Sequence, residues 1–336
     1  MKFSVIVPLY LPYKQYIYDC IASIKNQSFK DFECILVLPK IQENDFKNLN
    51  IELDERFKIV ESPYTEQSQN RNIGIKNCGG DYLIFVDCDD FLDLDYLQIS
   101  NDILVNTKTD LIVYNFTRDV NGFKKIKEPS VSIYTDKKIV KNILFSYYTN
   151  EEKITSLNIN TVWGKVFKRN IIENQILFDE KTRCGEDVLF VLDFGHYITS
   201  ILLVENYISY CWRQNSSSLM SNIGPFFDLN NFFEHLDKIA EKEKINSINY
   251  IKSKFEIFNI RSNNLLNMYI RKAIKKKDFF NFVKNTYPKA SYSNKTLVEY
   301  NKFGNKISKC ILKENYLLLS ILLSLYKVKN VLKIRK

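Results

Sequence analysis

Tyr82-Leu-Ile-Phe-Val86 runs straight into Asp87-Cys-Asp-Asp90, and the reading of this stretch decides the fold. An unbroken apolar run, with Gly79-Gly80 before it and acids after it, describes a strand buried on both faces. Such strands belong to mostly parallel sheets covered by helices above and below. In open sheets of that kind ligands bind beyond the carboxyl ends of the strands, which is where Asp87, Asp89 and Asp90 fall. Three carboxylates this close repel one another unless a cation or several donors neutralise them. Oxygen-only ligands with no histidine suit Mg²⁺ or Mn²⁺, ions that share coordination with substrate phosphates. An acidic turn with one Asp capping the next helix is the plainer account; the place behind a buried strand favours metal and phosphate.

Working outward, short apolar runs alternate with helical stripes. Strands are expected over residues 3–7, 32–38, 57–61 and 111–116, and helices over 67–77 and 94–105. Ile17, Cys20, Ile21 and Ile24 recur at the spacing of one helix face. Strand–helix alternation predicts an α/β fold whose mostly parallel sheet is flanked by helices. Past residue 117 the pattern is mixed. Asn121-Gly122 predicts a hairpin turn, residues 187–196 a helix, and residues 201–204 and 207–212 two short strands. Beyond residue 221 only helical periodicity remains, with Ile251, Phe255, Phe258, Leu265 and Tyr269 on one face. The expected division is therefore a catalytic domain, 1–222, and a helical C-terminal region, 223–336.

Charge sharpens that division. Of 48 Lys and Arg, nine lie in residues 301–336 beside a lone acid, Glu314, which leaves 39 basic and 38 acidic groups in the first 300 residues. The basic tail encloses Tyr316-Leu-Leu-Leu-Ser-Ile-Leu-Leu-Ser-Leu-Tyr326, preceded by Lys306, Lys309 and Lys313 and followed by Lys327, Lys329, Lys333, Arg335 and Lys336. An apolar helix with tyrosines at its ends and lysines beyond suits an anionic membrane surface, where each basic group adds about 1 kcal/mol. A last helix packed on the core would read the same way. No nucleic-acid motif accompanies the bases. There is no apolar run of about 18 residues, and the first apolar run ends at Pro8, so neither a membrane span nor a leader peptide is expected. Seven cysteines without paired short spacings read as thiols of a cytoplasmic protein. With only 2 histidines, a His-rich metal site is excluded.

Three further clusters carry chemistry. In Asn70-Arg-Asn-Ile-Gly74, Arg71 has the planar fork that binds phosphate or base bidentately, though alone it reads as a surface arginine. In Gly185-Glu-Asp-Val-Leu189, Glu186 and Asp187 are either a helix cap or a general base held at a helix start. Tyr210-Cys-Trp-Arg213, followed by Ser216-Ser-Ser218, offers an Arg and hydroxyls for a diphosphate or an acceptor.

In this order the pieces resemble an inverting family-2 glycosyltransferase with the GT-A fold, of the kind that builds bacterial capsules, exopolysaccharides and lipopolysaccharides. The resemblance covers about residues 3–220. It rests on Ser4-Val-Ile-Val-Pro8 with Tyr10, Cys20-Ile-Ala-Ser-Ile24 with Asn26-Gln-Ser28, Gln69-Asn-Arg-Asn-Ile-Gly74, Gly80 to Leu92, Gly164-Lys-Val-Phe-Lys168, Gly185-Glu-Asp187 and Tyr210-Cys-Trp-Arg213.

That resemblance implies a nucleotide-sugar donor, UDP-linked by default, and a saccharide or lipid-linked saccharide acceptor. It puts Pro8 and Tyr10 along the base, Arg71 near base and diphosphate, and Asp87 at the ribose with Cys88 beside it. Asp89 would hold Mn²⁺ or Mg²⁺ with Asp90 close by. Asp187 would be the catalytic base with Glu186 its neighbour, and Trp163, Lys165 and Arg213 would edge the acceptor or diphosphate. The implied place is cytoplasmic, at the inner face of the cell membrane through residues 306–336. Two positions depart from the family pattern: Leu11 stands for the usual Asn, and Leu36-Val-Leu-Pro-Lys40 replaces the usual Asp-Asp-Gly-Ser stretch at the base. The departures keep a non-catalytic binding or scaffold subunit in view. A nucleotidyltransferase is the rival enzyme, but it would need a Gly-rich phosphate loop where Leu9-Tyr-Leu-Pro-Tyr13 stands.

Overall fold

The computed structural model describes residues 2–123, 128–149, 152–173, 176–214 and 229–245, with Tyr250, Ser253, Lys254 and Ile257. Its first strand, β1 (Phe3–Pro8), is buried throughout, as an apolar run with no alternation requires. α1 (Lys14–Lys25) follows and buries Ile17, Cys20, Ile21 and Ile24, the stripe read from the sequence. These side chains share one core with Phe3, Val5 and Val7 of β1. On the opposite face of β1, α3 (Gln67–Lys76) lies so close that a Cβ on Gly74 would stand 2.3 Å from Ile6 Cγ2.

β1 pairs in parallel with β2 (Phe32–Pro39) and with β4 (Tyr82–Phe85), and β2 pairs in parallel with β3 (Phe57–Ser62). A short helix, α2 (Glu43–Lys47), follows β2. The expected parallel block is thus present, and the chain switches direction across the sheet between β1 and β4. The remaining elements are β5 (Phe91–Leu92), α4 (Tyr96–Thr107), β6 (Leu111–Thr117), β7 (Val131–Tyr134), α5 (Lys137–Thr149), β8 (Lys165–Lys168), α6 (Arg169–Ile172), α7 (Glu186–Tyr197) and β9 (Ile201–Cys211). The nine strands form one sheet in the order β3-β2-β1-β4-β8-β6-β9-β5, with β7 against β9.

Two local expectations are corrected, and β8 is a strand that the sequence reading did not expect. β8 runs antiparallel between β4 and β6; four residues are too few to show a period. The two short strands expected over 201–212 are one strand, β9, whose pairing with β6 slips around Asn115 while Glu205 and Asn206 bulge into solvent. The Asn121-Gly122 turn closes through the Gly122 N–H and the Asp119 carbonyl at 2.9 Å. The strand after it, β7, pairs with β9 rather than β6, so no hairpin forms there.

On one side of the sheet Phe190 and Phe194 of α7 pack edge-on against Phe167 of β8, and Phe190 also meets Phe85 of β4. That packing sets the start of α7, with its two acids, over the edge where β4 ends.

The chain divides into two compact units. The first holds residues 1–145, 153–180 and 186–215 and contains the whole sheet. The second holds 146–152, 181–185 and 216–336. Within the second, α8 (Leu229–Lys242) buries Phe232, Phe233, Leu236 and Ile239, and Asp237 accepts from Tyr250 and Lys254. The boundary expected at 222, the helical face from Ile251 to Tyr269 and the tail 306–336 lie outside the described residues. Among the described residues, no helix is long and apolar enough to cross a membrane.

Candidate active site

The carboxyl edge of the sheet, at the switch between β1 and β4, gathers the candidate residues. α3 is unusual in burying polar side chains: Ser68, Asn70, Arg71 and Asn72. Buried polar groups need partners; Asn70, Asn72 and both terminal nitrogens of Arg71 have them, while Arg71 Nε has none among the described residues. Asn70 Oδ1 accepts from Ser62 Oγ at the end of β3. Asn72 accepts from the Phe178 N–H at 2.8 Å and donates to the Phe178 carbonyl and to Glu180. Between them, Arg71 is 1% exposed, its guanidinium 5.1 Å from the centre of the Phe178 ring.

Arg71 is the hub of the site. Its Nη2 donates to Asp87 Oδ1 at 2.8 Å, and its Nη1 to Asp187 Oδ1 at 2.5 Å and Glu186 Oε1 at 3.5 Å. One guanidinium thus joins the turn after β4 to the first turn of α7, more than a hundred residues away in sequence. Burial works against its charge, but Asp187, Asp87 and Glu186 outweigh that, and its pKa lies above the ordinary value. The acids are raised as well, which for them favours the neutral form. Burial and the neighbouring Asp187 push Glu186 up to about 8, against the pull of Arg71. Burial also raises Asp187, opposed by Arg71 and by the Val162 N–H, which points at Asp187 Oδ2 from 3.4 Å. Burial and the charge of Asp187 thus favour the neutral form of Glu186.

The acidic turn is pinned from the far side. Tyr210 of β9 takes the Asp87 N–H at 3.2 Å and donates its hydroxyl to Asp90 Oδ2 at 2.7 Å. Arg213 supplies its backbone N–H to Asp90 Oδ1 at 2.8 Å, its Nε to the Asp89 carbonyl and its Nη2 to Asp19 of α1. Asp90 is 1% exposed; burial, with Asp87 and Asp89 nearby, holds its carboxyl well above the usual range. Asp89 is half-buried at the edge. Two thiols sit under the turn: Cys20 points at the Asp87 carbonyl, and Cys88 at the Tyr10 carbonyl. Tyr10 packs edge-on to Tyr13 after β1, and Gln42 Oε1 takes the Leu11 N–H at 2.8 Å. Leu36 and Leu38, at the altered second strand, are core residues.

A divalent ion suits this turn by its donor set. The oxygens are all carboxylate or carbonyl, and Asp87 and Asp89 add to the burial that raises Asp90. Among the described residues no three acid, Cys or His side chains close a cage, so an ion held at Asp89 would complete its shell with substrate phosphates.

The structure brings Arg71, Asp87, Asp187 and Glu186 into direct contact and joins Asp90 to Arg213. Two further expected residues are buried. Lys165 serves the loop over residues 158–161 through its ammonium. Trp163 is 8% exposed, stacked on Tyr210 at 5.0 Å and on Trp212 at 6.1 Å, so it braces the wall. Ser216 to Ser218 lie outside the described residues. Gln67 is a site residue that the motifs do not mark, yet its Nε2 donates to Asp87 Oδ1 at 2.7 Å. Its position one helical turn before Arg71 puts both on one face, a signal present in the sequence.

A twisted sheet that switches at β1/β4, an acidic turn on that switch and an acid-bearing helix start facing it define a GT-A glycosyltransferase. The sequence profile of glycosyl transferase family 2 matches residues 4–175, and the chain belongs to that family. Among solved structures, Staphylococcus aureus TarS residues 1–349, in complex with UDP-GlcNAc, superposes with a TM-score of 0.61 at 20% identity, covering 94% of this chain and 91% of that one. Among curated proteins, glycosyltransferase GlyA of Streptococcus pneumoniae is 28% identical over 191 residues, 55% of this chain and 27% of its own. The uncharacterized glycosyltransferase EpsJ of Bacillus subtilis is 25% identical over 222 residues, 64% of this chain and 62% of its own. The chain thus spans less than two thirds of the length of either relative.

Proposed function

We propose that this protein transfers a sugar from a nucleotide-diphospho-sugar, with inversion, to a saccharide or lipid-linked saccharide acceptor in the synthesis of a bacterial surface polysaccharide. The observation that carries the reading is the Arg71 hub, which ties the donor turn at Asp87 to a half-buried carboxylate at the start of α7. UDP-linked hexose or N-acetylhexosamine is the favoured donor class, because TarS 1–349, which shares the fold, was solved with UDP-GlcNAc.

In this mechanism Pro8 and Tyr10 line the base, with Cys88 fixing the Tyr10 carbonyl from below, and Asp87 meets the ribose. Asp187 takes the proton of the acceptor hydroxyl as that oxygen attacks the anomeric carbon. The bond from that carbon to the diphosphate breaks, and the diphosphate leaves with the electron pair. Burial and the neighbouring Asp187 favour the neutral form of Glu186, so Asp187 is assigned as the base. A divalent ion held at Asp89, with Asp90 behind it, would neutralise charge on the leaving diphosphate. Arg213 fixes the acidic turn against α1.

The test is calorimetric titration of UDP and of GDP, each with and without Mn²⁺. Metal-dependent binding of one nucleotide supports the reading and selects the donor class. Binding of neither would make the chain a scaffold subunit, unable to grip a nucleotide base without acids on its second strand. The proposed seat is the cytoplasmic membrane face, reached through residues 306–336; an unchanged membrane fraction after deletion of 313–336 would refute that.

A further inference from the structure

Behind the carboxylates lies a buried cation that the mechanism leaves unused. Lys165 opens β8 at 1% exposure. Its ammonium donates to the Asn158 carbonyl at 2.6 Å and the Thr161 hydroxyl at 3.3 Å. Among the described residues it pairs with no carboxylate. A hydrocarbon side chain would fill the slot without the desolvation that an ammonium suffers there. Burial pushes its pKa down to about 7, and the charge of Asp187 works the other way.

The two acceptors bracket a loop whose next residues reach the site. Val162 aims its N–H at Asp187 Oδ2. Trp163 stacks on Tyr210, whose hydroxyl joins the Asp87 N–H to the Asp90 carboxyl. Gly164, at φ +65°, then turns the chain, and its carbonyl receives the Tyr114 N–H at 3.0 Å. The turn carries Lys165 back beneath the loop it holds.

We propose that Lys165 is a positioning residue of the active site: its ammonium clamps the loop over 158–163 so that Val162 meets Asp187 and Trp163 meets Tyr210. The proposal rests on the reading of Asp187 as the base. The charged groups facing Asp187 are Arg71 from α3, Asp87 after β4, Glu186 beside it on α7 and Lys165 from β8. Removing one positive charge from this set makes the carboxylate less favourable, so Asp187 must titrate at higher pH.

The experiment is a carboxyl NMR titration of the full chain labelled with ¹³Cγ-aspartate, with Asp187→Asn assigning the Asp187 signal. Lys165→Met should move that titration upward by about half a pH unit or more, with the distant aspartates unmoved. A purely structural lysine would leave it in place, and that result overturns the proposal. If Lys165→Met does not fold, Thr161→Val keeps the charge and removes one anchor of the loop. It should speed hydrogen exchange at the Val162 amide by about tenfold; unchanged exchange overturns the clamp. Full sugar transfer by Asp187→Asn would sink the base assignment alone, whatever Lys165 does to the titration.

Discussion

Arg71→Met is the perturbation on which the site should show its electrostatics most openly. Three carboxylates share that guanidinium, two of them within 2.8 Å, and methionine fills the stem's volume without the charge. Removing one partner of a buried pair costs about 3–5 kcal/mol. At about 2–4 °C per kcal/mol for a large domain, melting should fall by roughly 6–20 °C.

The loss must also depend on pH. Arg71 pulls down both Asp187 and Glu186, so without it both folded-state values rise further above their unfolded values. A group raised in this way binds more protons folded than unfolded, and stability then falls as pH rises. The penalty should therefore be largest in mild alkali and shrink in mild acid, where the orphaned carboxylates take up protons. Thermal unfolding of wild type, Arg71→Met and Arg71→Lys across that range measures it. Lysine restores the charge but, as a single point, cannot bridge Asp87 and Asp187 together, so it should recover part of the loss. A methionine variant that melts within about 2 °C of wild type at every pH would refute the hub.

The remaining predictions concern the acids. Asp187→Asn should lower sugar transfer by about 10²–10⁴-fold while nucleotide affinity holds; retention of most of the rate would remove Asp187 as the base. Asp89→Ala should abolish the Mn²⁺ dependence of nucleotide binding, and unchanged metal-dependent affinity would take Asp89 out of the ion's shell. Glu186 rises from an ordinary 4.5 to about 8, so between those values it holds a proton in the folded chain that it has given up in the unfolded one. It therefore costs stability progressively as pH climbs through that window. Glu186→Gln should flatten the decline of melting temperature between them; an equally steep decline in the variant would place the titrating group elsewhere.

The parallel block was legible because its signals are local. The unbroken apolar runs of β1, β2 and β4, and the stripe Ile17, Cys20, Ile21 and Ile24, each need only a few residues of context. So does the acidic turn behind β4, since a strand's end fixes where the next side chains stand. The neighbourhood of the site was less legible. Gln67 hid in a helix whose buried face is polar, and such a face looks like a surface until its partners are known. Lys165 and Trp163 were put at the acceptor edge by the resemblance alone, and sequence could not tell that both are buried, Lys165 under the loop at 158–161 and Trp163 against Tyr210.

What the sequence determined by itself is the parallel strands β1 to β4, the helices beside them and the chemical types at their ends, because period and punctuation are written along the chain. What the tertiary structure alone decided is pairing. β8 is inserted antiparallel between β4 and β6, β9 is one slipped strand, and Arg71 is matched to Asp187 across more than a hundred residues. These choices depend on which partner best offsets the desolvation of a buried group. That partner is a property of the packed sheet, not of any window of residues.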